Sequence, residues 1–154
     1  MRISQRMQKT SHKLIHWDLT ERIIGVYHDA YHEFGGGFLE KVCHRVMVLA
    51  LAEAGLEVAE GMRFDVHFRG HCVGQFFPDI VVNGRVLIEV KSCPGLEPRH
   101  KAQVINYLRA SPLEVGLLLN FGPKREIDRI VYANERKTTD AIRQSLVDTA
   151  PNSG

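Results

Sequence analysis

The stretch Pro78-Asp79-Ile80-Val81-Val82-Asn83-Gly84-Arg85-Val86-Leu87-Ile88-Glu89-Val90-Lys91 decides how this chain reads. It is two short strands around a tight Asn-Gly turn, with the pattern PD-x9-EVK. Two carboxylates and a lysine set this way can hold a hard divalent cation beside a water molecule, the minimum for metal-assisted phosphodiester hydrolysis. The plain alternative is a solvated hairpin with scattered charges.

Register decides whether those three side chains can meet. Glu89 and Lys91 are two apart on one strand and share a face. A two-residue Asn83-Gly84 loop pairs Val82 with Arg85 and sends Asp79 and Glu89 to opposite faces. A three-residue loop with a glycine bulge pairs Val82 with Val86, Ile80 with Ile88 and Asp79 with Glu89. Only the second register puts Ile80, Val82, Val86, Ile88 and Val90 on one face, whereas the first sets Arg85 opposite Val82 on the core side. Burial alone therefore predicts the odd-numbered loop, and with it Asp79, Glu89 and Lys91 on one side. Facing carboxylates repel unless a cation or a shared proton intervenes.

Outward from the hairpin, residues 17–34 carry Ile23, Tyr27, Ala30 and Phe34 at helical spacing. Gly35-Gly36-Gly37 ends that helix; without a following Lys-Ser/Thr it is a helix–helix turn and no phosphate loop. A second helix is predicted from about Phe38 to Ala54, with Leu39, Val42, Val46, Leu49 and Ala50 as its apolar stripe and Gly55 as its stop. Strands are predicted over 62–69, 72–82 and 85–92, then a helix over 98–110 with Pro98 at its first position. Strands at 113–121 and 126–132 follow, with a short helix at most around Thr139–Val147. The expected order is ααβββαββ: an α/β domain over 17–132 with a mixed central sheet flanked by helices. A basic arm, 1–16, precedes it (Arg2, Arg6, Lys9, Lys13) and a polar tail, 133–154, follows.

Composition limits the function classes. The 154 residues suit one domain, and 44% hydrophobic with 25% charged residues is ordinary for a globular protein. No apolar run is long enough for a membrane span. A net charge of +2 is too weak to argue for nucleic acid globally, so that argument rests on local placement. Cys43, Cys72 and Cys93 have neither zinc-site spacing nor a disulfide framework, and a reducing, cytoplasmic setting is the default. His28 and His32 are four apart but lack a third ligand, and read as a surface pair.

The hairpin followed by a helix resembles the PD-(D/E)XK nuclease superfamily, whose members have a restriction-endonuclease-like core. More narrowly, the chain resembles the small bacterial GxxExxY proteins. Gly37-Phe38-Leu39-Glu40 matches the first part of their motif, Gln103-Val104-Ile105-Asn106-Tyr107-Leu108 resembles the QxxNYL helix (the QxxxY signature of RecB-type nucleases), and Val115–Gly122 resembles the strand after it. The motif tyrosine is replaced by Cys43, which reads as core packing. The resemblance implies a nuclease using Mg2+ or Mn2+, with Glu40, Asp79 and Glu89 as metal ligands and Lys91 assisting the water. Gln103 and Tyr107, four apart on one helix face, would organise the substrate side. Arg99, His100 and Lys101 crowd the start of that helix, where cations oppose the helix dipole, and are candidate phosphate contacts. The implied partner is nucleic acid, DNA ahead of RNA, with a homodimer left open. The rival readings are an inactive binding module on the same fold and a metal-dependent hydrolase of small phosphates.

Overall fold

A computed structural model describes residues 14–137. The expected basic arm falls almost wholly outside the described residues, as does the expected Thr139–Val147 helix.

Helix α1 (Trp17–Phe34) turns Ile23, Tyr27 and Ala30 inward, as its spacing predicts. Helix α2 (Glu40–Glu53) buries Cys43, Met47, Val48 and Leu51. That corrects the expected stripe: Leu39 and Leu49 are exposed, while Val42, Val46 and Ala50 are half-buried. Both sets have helical spacing, and the difference is set by how the helix docks on α1 and the sheet.

Five strands, where three were expected, separate α2 from the next helix: β1 (Val58–Glu60), β2 (Phe64–Phe68), β3 (His71–Phe76), β4 (Ile80–Val82) and β5 (Val86–Lys91). The expected 72–82 strand is broken at Phe77-Pro78-Asp79, since proline lacks the N–H a ladder needs. Helix α3 (Pro98–Arg109), β6 (Val115–Phe121) and β7 (Arg125–Val131) complete the fold, with a single 3-10 turn at Asn134–Arg136.

The main sheet has the order β1-β4-β5-β6-β7, and β2 and β3 form a separate two-stranded sheet. Only β5 and β6 run parallel, joined through α3, so the five-stranded sheet is mixed as expected. Its two faces bury different sets. Ile80, Val82, Val86, Ile88, Val90, Leu117, Leu119 and Phe121 pack under α1 and α2. Val81, Leu87 and Leu118 pack with Val104 and Leu108 of α3 and with Phe64 and Phe76 of the β2–β3 hairpin. The central strands are thus buried on both faces, as parallel-sheet architecture requires.

The critical turn has the predicted register. Ile80 pairs with Ile88 and Val82 with Val86, leaving a three-residue loop, Asn83-Gly84-Arg85. Asn83 (φ 51°) and Gly84 (φ 63°) are both left-handed, the Asn-Gly signature of a primed turn, and the Arg85 N–H donates to the Val82 carbonyl at 3.0 Å. Asn83 Oδ1 accepts the Glu57 N–H at 2.8 Å, tying the turn to the approach to β1.

Candidate active site

Because β5 alternates, Glu89 and Lys91 continue the α3-facing file begun by Leu87, an apolar file with a carboxylate set in it. Glu89 is only 5% exposed. Its Oε1 accepts the Asp79 N–H at 3.0 Å, and Asp79 Oδ2 accepts the Val90 N–H at 2.9 Å. Each carboxylate is therefore clamped by the other strand's backbone, which extends the hairpin by one pair through side chains. Burial, then the adjacent charge of Asp79, pushes the Glu89 carboxyl up from 4.5 to about 8, against the opposing pull of the Asp79 N–H bond and then of Lys91.

Lys91 Nζ donates to Gln103 Oε1 at 3.5 Å, and Gln103 Nε2 donates to Tyr107 Oη at 2.8 Å. The Tyr107 ring lies flat on Phe76, centroids 4.4 Å apart, and Phe76 stacks on Phe64 at 5.2 Å. Burial, then the charge of Glu89, holds the Tyr107 phenol above its usual value. Lys91, Gln103 and Tyr107 thus form one chain of contacts running from β5 to Phe76 of the β2–β3 hairpin.

Glu40 opens α2, where its charge suits the helix dipole. It borders two adjoining hollows: one also lined by Lys91, Cys93, Arg99, His100 and Gln103, the other by Lys41, His44 and Asp79. Glu40, Asp79 and Glu89 do not draw together tightly. Among the described residues, the group of three His, Cys, Asp or Glu ligand atoms within 4.8 Å of one another is a different one, Asp65, His67 and Cys72.

The basic trio separates. Arg99 pairs with Glu97. Lys101 Nζ lies 3.9 Å from Asp128 Oδ2. His100 is 8% exposed, and its Nδ1 accepts the Glu97 N–H at 2.9 Å. Cations at this position oppose the helix dipole, yet His100 also closes the first turn of the helix through its ring nitrogen. Arg99 and His100 still line the hollow beside Lys91. Cys43 is fully buried, and burial raises its thiol, in keeping with core packing. His28 and His32 face solvent on α1.

Two contributors are missing from the sequence reading. His44 Nε2 lies 2.8 Å from Glu60 Oε1 and its Nδ1 4.0 Å from Asp79 Oδ1, so it spans from β1 to the acidic pair. Its position four after Glu40 was the available signal. Asn120, fully buried, accepts the N–H groups of Cys93 and Gly122 on Oδ1, both at 3.1 Å. Its Nδ2 donates to the Cys93 carbonyl at 3.0 Å and to Glu126 Oε1 at 3.2 Å. All of its amide sites are engaged, and they lash the loop after Lys91 to β6. This fixes where β5 ends and α3 begins.

Buried Glu89 and half-buried Asp79 thus cross-bond each other's strands at the end of a mixed sheet, with Lys91 two residues on. A family model of the PD-(D/E)XK nuclease superfamily matches residues 17–130. The chain belongs to that superfamily. No match is found among curated proteins. Among solved structures, the crystal structure of SSO0001 is similar, with a TM-score of 0.50 and 17% identity over 60% of this chain and 50% of that one. This chain therefore spans half of that chain's length, and the likeness concerns the fold. No helix among the described residues is long and apolar enough to cross a membrane.

The donor set fits a divalent cation. A buried carboxylate raised to about 8 beside a second carboxylate is a site short of positive charge. The folded value lies above the unfolded one, so the stability contribution is complete below about pH 4.5 and is lost as pH rises through about 8. Without divalent metal, melting temperature should fall by several degrees across that window. Glu89→Gln should flatten the fall, and Mg2+ or Mn2+ should raise the wild-type value more at the alkaline end. Differential scanning calorimetry across pH reads this; an equal fall in Glu89→Gln would refute it.

Proposed function

We propose that the chain is a divalent-metal-dependent nuclease that hydrolyses phosphodiester bonds of nucleic acid, DNA ahead of RNA. The observation that carries the reading is the crossed pair of half-buried Asp79 and buried Glu89, with Lys91 bonded to Gln103 beside it. Asp79 and Glu89, with Glu40 from the start of α2, would hold Mg2+ or Mn2+, which activates water and polarises the phosphoryl group. Lys91 offers N–H donors and a positive charge to the phosphoryl oxygens as they gain charge. Gln103 keeps that ammonium at the rim of the hollow, and Tyr107 fixes Gln103 from behind. Arg99 at the same rim is placed to meet a neighbouring backbone phosphate.

Within the superfamily we assign the chain to the GxxExxY proteins of the RecB-like QxxxY type, on Gly37, Glu40, Gln103 and Tyr107. A cytoplasmic setting goes with that assignment, and light scattering reads whether it acts as a homodimer. The wide setting of the three carboxylates favours one other reading, a non-catalytic nucleic-acid-binding module.

Incubation with labelled single- and double-stranded DNA and RNA, with Mg2+ or Mn2+, separates the two. Lys91→Ala should lose about 100-fold or more in rate while metal affinity, read by calorimetry, holds within a few-fold. Cleavage by Lys91→Ala at the wild-type rate would remove Lys91 from the chemistry. Nucleic-acid binding without any metal-dependent cleavage would favour the binding module.

A further inference from the structure

The hairpin β2–β3 carries a second constellation, away from the acidic pair. Asp65, His67 and Cys72 each bring a ligand atom within 4.8 Å of the other two. A carboxylate oxygen, an imidazole nitrogen and a thiol sulfur form a mixed donor set unlike the all-oxygen set at Asp79 and Glu89, and one that suits zinc-class transition metals.

The backbone explains why they meet. Asp65 pairs with Gln75 and Val66 with Gly74; a regular ladder would then set His67 opposite Val73 and turn Cys72 to the other face. The ladder instead shifts between Val66 and His67, and His67 pairs with Cys72. Val73 is the extra residue and is 61% exposed. A bulge of this kind re-aims a side chain. Here it brings Cys72 onto the face already shared by Asp65 and His67.

We propose that Asp65, His67 and Cys72 form a binding site for one zinc-class divalent ion, which staples the hairpin across its bulge. Tetrahedral ligands about 2.0–2.3 Å from zinc lie about 3.3–3.8 Å apart, so the side chains need close by only about an ångström. Three protein ligands leave the fourth position to water. Two existing contacts must yield or adapt. Arg63 Nε donates to Asp65 Oδ1 at 2.8 Å, an exposed pair of the weak kind. The Cys72 thiol donates to the Gly74 carbonyl at 3.5 Å, a contact given up when the metal takes the thiolate. The site stands on residues distinct from the acidic pair and does not depend on the nuclease reading.

Cobalt(II) titration of the full chain, kept reduced with a non-chelating phosphine, tests it. The wild type should develop a thiolate-to-cobalt charge-transfer band in the near ultraviolet, and zinc should displace it. Cys72→Ser, a change at an exposed position, should abolish the band and the rise in melting temperature that zinc gives. His67→Ala and Asp65→Ala should each weaken affinity by about ten-fold or more. Asp79→Asn, Cys43→Ser and Cys93→Ser should keep the band. A band that survives Cys72→Ser, one lost in Asp79→Asn or Cys93→Ser, or no saturable binding below about 10 μM would overturn the proposal.

Discussion

Asp79→Asn is expected to remove metal-dependent cleavage by about a thousand-fold or more, equivalent to about 4 kcal/mol of barrier. The variant isolates charge from shape. An asparagine Oδ1 can still accept the Val90 N–H that Asp79 Oδ2 now takes, and its own N–H still serves Glu89. What it loses is the negative charge that the proposed metal site requires. It also relieves the repulsion that helps raise Glu89. The metal-free variant should therefore melt at or above the wild-type temperature under alkaline conditions while being inactive. Stability held with activity lost is a combination that misfolding cannot produce. Wild-type cleavage by Asp79→Asn would end the case for this residue as a metal ligand.

Gly36→Ala is expected to cost about 3 kcal/mol, at the upper end of the penalty for overpacking a rigid site. A methyl group there would lie 2.1 Å from the Gly122 carbonyl oxygen, 2.9 Å from that of Phe121 and 2.7 Å from Tyr31 Oη. Two of these are backbone atoms and cannot swing aside. The same turn is held to the end of β6 by Gly37 N–H donating to the Phe121 carbonyl at 2.8 Å and Tyr31 Oη donating to that of Gly122 at 2.5 Å. Accepting the methyl group means lifting the turn off β6, and α2 with Glu40 starts three residues later. For a domain of this size the melting temperature should fall by about 10 °C. Gly25→Ala is the control: nothing lies within 4 Å of its added carbon, and mid-helix it should stabilise by up to about 1 kcal/mol. If both variants melt alike, the close approach of turn and strand is not real.

The hairpin register was legible because five apolar residues permit one parity only, and the structure pairs Ile80 with Ile88 as that parity demands. The α2 core face was not, because Val42, Val46 and Leu49 make as good a stripe as Cys43, Met47 and Leu51 until tertiary docking chooses. The break before β4 was signalled by Pro78, but the alternation on either side masked it. Gln103 and Tyr107 were readable as one helix face, and they do bond to each other. The capping role of His100 is not legible from charge type, because it rests on an imidazole nitrogen accepting a backbone N–H. The Asp65, His67 and Cys72 group was out of reach, since one extra residue at the bulge reverses the parity on which strand reading depends.

The separation of the β2–β3 pair from the main sheet has a dynamic consequence. Its strands share ladder bonds only with each other, and it joins β4 through Phe77-Pro78-Asp79. Such a unit can open alone, below the cost of global unfolding. Amide hydrogen exchange should then be fast in β2 and β3, and slow in β5 and β6, whose every residue except Lys91 is buried. When the hairpin lifts, Tyr107 loses its stacked partner Phe76, while Glu89 and Lys91 stay anchored in the central sheet. The molecule can thus free the Tyr107 ring from its stack without disturbing the strand that holds Glu89 and Lys91.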